Sequence, residues 1–214
     1  PPWWYRWHVV GTAGCWLLFD VSFYANSLMH HDVTSAMDLG DSPLAKSCQT
    51  LVLVLIQIPG YWISAFTIDR IGRKQIQLMG FTMLTVLYAV LAASYRAVLA
   101  SSPTLLLLLY SSTFLFSNFG PNATTYVIAG EIYPRSIRAT CHGLSAASGK
   151  AGAALGTYIF PFLPSVEAQM AVCAATSLAG LVVTLVFTPT YGARELDRGV
   201  VELDWPCLRT QDGE

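Results

Sequence analysis

The chain has 214 residues and a formal net charge of −1; 54% of the residues are hydrophobic and only 12% are charged. Soluble globular domains carry about 25% charged residues, so the composition argues against an ordinary water-soluble domain. The near-neutral charge gives no reason to expect a nucleic-acid partner. The five cysteines (Cys15, Cys48, Cys141, Cys173 and Cys207) lack the paired spacing of a disulfide framework or a metal site, and no cofactor is expected.

Windows free of Asp, Glu, Lys and Arg run over 47–68, 75–95, 97–130 and 168–193. About 20 apolar residues cross the ~30 Å hydrocarbon layer, so each window is long enough to span it. Two further apolar stretches, 8–29 and 139–163, carry charges near their middles. The pattern predicts an all-α membrane protein with six spans at about 8–29, 48–69, 75–97, 103–129, 139–163 and 167–189. These make one unit over residues 1–190, followed by a tail at 191–214. Connections are short, apart from a polar loop at 30–47.

The first span is preceded by Trp3, Trp4, Tyr5 and Trp7, which suit an interfacial anchor. Asp20 falls near its middle. A carboxylate at that depth costs at least ~2.5–3.5 kcal/mol on insertion scales, so it needs a water-filled cavity, a partner or a proton. Trp16, Asp20 and Tyr24 are spaced i, i+4 and i+8 and share one helix face. They form either a polar stripe along a cavity or a carboxyl between two packing aromatics.

Pro59-Gly60 is predicted to interrupt the second span and Gly120-Pro121 the fourth, since proline removes a backbone donor and crowds the preceding turn. In lipid the freed carbonyls need protein or cavity water. Such breaks mark either a transport site or a simple packing kink. Asn118 and Asn122 flank the second break, where an amide can donate to an anion. Asp69-Arg70-Ile71-Gly72-Arg73-Lys74 joins spans two and three, with Gly72 allowing a tight turn. Glu131-Ile132-Tyr133-Pro134-Arg135-Ser136-Ile137-Arg138 joins spans four and five. Opposite charges on the two loops can latch together, or the basic residues can serve topology alone.

Lys150 lies midway along the fifth span, within Gly149-Lys150-Ala151-Gly152-Ala153-Ala154-Leu155-Gly156. Gly152 and Gly156 form a small-xxx-small face that permits close helix approach. A lysine at that depth seeks an acid at equal depth, and Asp20 is the candidate, so the two are expected to pair in at least one state. One set of loops holds Arg6, Arg70, Arg73, Lys74, Arg135, Arg138, Arg194, Arg198 and Arg209; the other holds Lys46 and Arg96. By the positive-inside rule the first set is cytoplasmic, with both chain ends inside. No Ser-His-Asp, HExxH, P-loop or GxGxxG arrangement is found, so nothing points to an enzyme.

The 69–74 loop resembles the D-R-x-G-R-K signature of the major facilitator superfamily. The glycine usual four residues before its Asp is Ala65 here, a departure in the helix-packing part of the motif. Three further stretches are similar to proton-coupled inorganic phosphate symporters. Gly11-Thr12-Ala13-Gly14-Cys15-Trp16-Leu17-Leu18-Phe19-Asp20-Val21-Ser22-Phe23-Tyr24 resembles their seventh span. Asn118-Phe119-Gly120-Pro121-Asn122-Ala123-Thr124-Thr125 resembles the tenth, and Cys141-His142-Gly143-Leu144-Ser145-Ala146-Ala147-Ser148-Gly149-Lys150-Ala151-Gly152 the eleventh.

The resemblance implies the C-terminal half of a twelve-span fold, with substrate held between it and an N-terminal six-span half. The chain opens on Pro1 rather than Met, and is expected to belong to a longer polypeptide. By motif position the implied phosphate ligands are Trp16, Asp20, Tyr24 and Asn122. Asp20 is also the implied proton site, with Lys150 its electrostatic partner. Asp69, Arg70, Gly72, Arg73, Lys74, Glu131 and Arg138 would form the cytoplasmic gate. A bare carboxylate repels a phosphate anion, so phosphate and proton should occupy the site together. The expected partners are therefore inorganic phosphate, protons and the lipid bilayer, and the expected location is the plasma membrane. The competing readings are a sugar or organic-ion porter of the same superfamily, and a non-transporting phosphate sensor or truncated isoform.

Overall fold

The computed structural model describes residues 5–36 and 42–190, and every regular element among them is helical. The helices are α1 (Tyr5–Ala36), α2 (Pro43–Ile71), α3 (Arg73–Ser101), α4 (Pro103–Phe119), α5 (Pro121–Glu131), α6 (Arg138–Ile159) and α7 (Val166–Phe187). A 3₁₀ turn, Phe160–Phe162, follows α6. Three starts follow directly from local chemistry. The hydroxyls of Ser42, Ser102 and Ser165 accept from the N–H groups of Ala45, Leu105 and Ala168, and Pro43 and Pro103 occupy first-turn positions where no donor is needed. Gly72 alone separates α2 from α3, at φ 101°, a conformation that side chains disfavour; its N–H donates back to Ile68 O.

Each predicted segment is helical, with two differences. The predicted polar loop at 30–47 is largely helix: α1 continues to Ala36, and Met29 and Val33 are drawn into the core. The expected interruption at Pro59-Gly60 is absent, and α2 runs unbroken from Pro43 to Ile71. Gly60 instead provides a close crossing, where any Cβ would strike Leu115 O and Asn118 Cβ of α4. The segment at 103–129 does divide, into α4 and α5 at Gly120-Pro121. The helical ladder is kept on either side by Gly120 N–H to Phe116 O (3.0 Å) and Thr124 N–H to Gly120 O (3.1 Å).

Helices α2, α3 and α7 are each long and apolar enough to cross a membrane. Against them are packed the remaining helices. Helix α1 lies between α6 and α7, α3 packs on α7 and α4, and α2 rests on α4. The α1–α6 crossing depends on Gly152 and Gly156, whose added Cβ atoms would run into the main chain at Leu17 and Val21. This is the close approach that small residues permit where lipid offers no hydrophobic drive between helices.

Buried polar ties join the elements. Thr12 Oγ1 is 2.7 Å from Tyr133 OH and 2.8 Å from Ser145 Oγ, linking α1, the α5–α6 loop and α6. Asn26 Nδ2 donates to Thr113 Oγ1 (2.9 Å) while Tyr110 OH donates to Asn26 O (2.6 Å), linking α1 to α4. Gln77 Nε2 donates to Thr184 Oγ1 (2.9 Å), beside the buried Cys15 thiol. These bonds satisfy the hydroxyls and the amide hydrogens, whereas the oxygens Asn26 Oδ1 and Gln77 Oε1 are buried with no hydrogen-bond partner among the described residues, a costly arrangement.

Candidate functional site

The residues singled out on α1 line up as their spacing requires. Asp20 is only 4% exposed, although it sits in a helix with apolar neighbours. Trp16, one turn before it, is held edge-on by Tyr126 of α5 (centroids 6.2 Å apart) and His142 of α6 (5.7 Å). Tyr126 and His142 also meet each other edge to face, at 5.0 Å. Gly149 of α6 leaves the space that the Trp16 indole fills; a Cβ there would collide with the ring. The glycine of the fifth predicted span thus positions the aromatic of the first.

Lys150 Nζ donates to Tyr24 OH at 3.1 Å and lies 5.3 Å from that ring's centroid. Among the described residues no direct ion pair joins it to Asp20. In this conformation Lys150 therefore grips the phenol next to the acid rather than the acid itself. The Tyr24 hydroxyl accepts from the ammonium and keeps its own hydrogen to donate. Trp16, Asp20, Tyr24 and Lys150 converge at the α1–α6 seam.

Asn122 stands on α5, one turn before Tyr126, the residue that touches Trp16. Its amide does not point free hydrogens outward, as the break at Gly120-Pro121 suggested. Asn122 Nδ2 donates to Tyr61 OH of α2 (2.6 Å) and to Asn118 Oδ1 (2.8 Å). Asn118 Nδ2 in turn donates to Gln57 O (3.2 Å). These neighbours were missed from sequence: Tyr61, Tyr126 and His142 sit on three different helices, and no periodicity brings them together. A cavity of about 180 Å³ opens between α1, α2 and α4, lined in part by Phe23, Ser27, His30 and Gln57. None of the predicted ligands lines it.

The two charged loops do meet. Arg73 grips Glu131 with two parallel bonds, Nε to Oε2 at 2.9 Å and Nη2 to Oε1 at 3.2 Å, and its Nη1 lies 2.7 Å from Asp69 Oδ1. Burial by itself would lower the Arg73 guanidinium, but Glu131 and Asp69 hold it above its ordinary value. Arg138 Nε donates to Tyr133 O (2.9 Å) and Lys74 Nζ to Leu185 O (3.3 Å), closing the ends of helices rather than joining the ion pairs. Gly72 sets the turn that brings Arg73 round to Glu131. Arg70 is exposed and Ala65, at the departing motif position, is also exposed. The tail arginines and Trp3 and Trp4 lie outside the described residues.

Residues 5–198 match the family of Sugar (and other) transporter proteins. The chain is 39% identical over 201 residues to "Probable inorganic phosphate transporter 1-6" of Arabidopsis thaliana, covering 86% of this chain and 39% of that protein. It is 37% identical over 201 residues to "Low affinity inorganic phosphate transporter 4" of Medicago truncatula, covering 86% and 38%. Similarity to "Low affinity inorganic phosphate transporter 1" of Petunia hybrida reaches 43% over 166 residues, covering 72% and 31%. The chain spans less than two fifths of the length of these curated relatives.

Proposed function

Because the chain belongs to the Sugar (and other) transporter family of the major facilitator superfamily, we propose that it supplies the C-terminal six-span half of a proton-coupled inorganic phosphate symporter. The observation that carries this reading is the α1–α6 seam: a buried carboxyl at Asp20, an indole at Trp16, and a phenol at Tyr24 polarised by the Lys150 ammonium. Asn122 supplies a further polar contact from α5. The names of the relatives, all inorganic phosphate transporters, point to the same substrate.

The chemistry is co-binding. A phosphate oxygen takes hydrogens from Tyr24 OH and the Trp16 indole, while Asp20 beside it must carry a proton to avoid like-charge repulsion. Loss of the proton then favours loss of the anion, and each ligand raises the other's affinity by the same factor. The N-terminal half supplies the facing wall and the remaining ligands. Rocking of the halves alternates access, with the Arg73–Glu131–Asp69 cluster as a cytoplasmic latch. Both ends of the chain face the cytoplasm, residues 191–214 form a cytoplasmic tail, and the membrane is the plasma membrane; loop charge supports the orientation.

Uptake of labelled phosphate into proteoliposomes, with and without an imposed pH gradient, tests the reading. The wild-type protein accumulates phosphate only with the gradient, and Asp20→Asn loses that accumulation. Normal uphill uptake by Asp20→Asn would refute the coupling role of the carboxyl. Phosphate binding without uptake would favour a sensor.

A further inference from the structure

The Asn122 amide has a fixed polarity, and its direction is set from the far end of a relay. Asn118 Nδ2 donates to the main-chain carbonyl of Gln57, and a carbonyl can only accept. That contact turns Asn118 Oδ1 towards Asn122, so Asn122 must present its Nδ2 in return. The second hydrogen of Nδ2 goes to the Tyr61 hydroxyl. Asn118 is 1% exposed and is pressed against α2 at the Gly60 crossing, so the relay is held by packing as well as by hydrogen bonds. Asn122 Oδ1 has no partner among the described residues, and Asn122 itself is only half-buried. At this position the protein offers an acceptor, not a donor.

We infer that Asn122, oriented by Tyr61 and Asn118, selects oxyanions that carry a hydroxyl. Its Oδ1 accepts the hydrogen of a P–O–H group and disfavours sulfate, whose oxygens at neutral pH are all acceptors. The inference rests on the phosphate reading above. The other proposed ligands complement it: Tyr24 OH, already accepting from Lys150, has a hydrogen left for a bare phosphate oxygen, and the Trp16 indole is a donor only. Donors therefore meet the ionised oxygens, and an uncharged acceptor meets the protonated one. Tyr61 and Asn118 act through Asn122 and are positioning residues.

The test is competition against labelled phosphate uptake by proteoliposomes holding the protein isolated from its own membrane, with sulfate and arsenate as competitors. Arsenate keeps the hydroxyl and sulfate lacks it. In the wild type, sulfate should compete on the order of a hundredfold or more worse than arsenate, as expected where a site built for a hydroxyl meets an analogue without one. Tyr61→Phe and Asn118→Leu each release one hydrogen of the Asn122 amide, or free it to turn, and should narrow the arsenate-to-sulfate ratio about tenfold. A loss of folded protein lowers uptake of every anion but leaves that ratio unmoved. Should Asn118→Leu fail to fold, Tyr61→Phe removes a single oxygen from an exposed side chain and decides alone. Sulfate competing as well as arsenate in the wild type, or an unchanged ratio in Tyr61→Phe, would overturn the inference. Wild-type protein that transports no phosphate removes the functional reading and this inference with it; phosphate transport with an unchanged ratio removes the inference only.

Discussion

Asp20 and Lys150 show how single residues can dominate a membrane helix. Each is a charge within an apolar stretch, and both belong to one seam: Lys150 donates to the Tyr24 phenol, one turn from the buried Asp20. Asp20 is buried while Lys150 is exposed, so removing the lysine takes a neighbouring positive charge from a buried carboxyl, whereas removing both is less disruptive. The double variant Asp20→Asn/Lys150→Met should therefore lower thermal stability less than the sum of the single replacements; strict additivity in detergent melts would count against the couple. Glycines on α6 divide just as sharply by surroundings. Gly152→Ala drives a Cβ into the Leu17 main chain and should cost about 1–3 kcal/mol. At Gly143, where a Cβ meets nothing within 4 Å, alanine should be neutral or stabilise by up to about 1 kcal/mol through helix propensity. Thermal melts of the two variants should shift in opposite directions, or only the first should shift.

At the scale of elements, the α2–α3 and α5–α6 connections are tied by one arginine. The Arg73 side chain is 8% exposed, that of Glu131 28% and that of Asp69 67%. The bidentate Glu131 contact is the stronger of the two pairs, since Asp69 is well solvated and screened. A double-mutant cycle of Arg73→Gln and Glu131→Gln should give a coupling of about 0.5–3 kcal/mol, and Asp69→Asn in place of Glu131→Gln a smaller one. Equal couplings would mean that the fork geometry contributes nothing. The elements also show where the sequence pattern misleads. Pro59 and Pro121 both lie within apolar windows, yet only Pro121 ends a helix, because Gly120 adopts a non-helical backbone (φ −109°, ψ −111°) while α2 carries Pro59 within a continuous helix.

For the whole molecule, the proposed orientation puts the α1–α2 connection outside the cell and the α2–α3 and α5–α6 connections inside. Native thiols report on this. Cys48 is exposed near the start of α2, Cys141 is half-buried near the start of α6, and Cys15 and Cys173 are buried. A membrane-impermeant maleimide applied to intact cells should label the Cys48 peptide, with Cys141 labelled only after permeabilisation and Cys15 and Cys173 unlabelled in the folded protein. Labelling of Cys141 from outside would invert the proposed topology.

Much of the architecture was legible without coordinates. Four of the six segment positions follow from charge-free windows, because a bilayer imposes a minimum apolar length. Trp16, Asp20 and Tyr24 share a face because helical periodicity makes residues four apart neighbours. The α1–α2 boundary was not legible, since Met29 and Val33 extend the helix by packing against distant residues rather than by local pattern.

Composition and spacing along one chain were enough for the helical membrane character, the family resemblance and the anomaly of two charges in apolar stretches. Helix packing was needed to see that Lys150 holds Tyr24, that Arg73 forks onto Glu131, and that the Asn122 amide donates to Tyr61 and Asn118. Apart from the bond between Asn122 and Asn118, those contacts join residues tens of positions apart. They turn on which glycine lets two backbones close and which carbonyl is left to accept, quantities that exist only once the helices are packed.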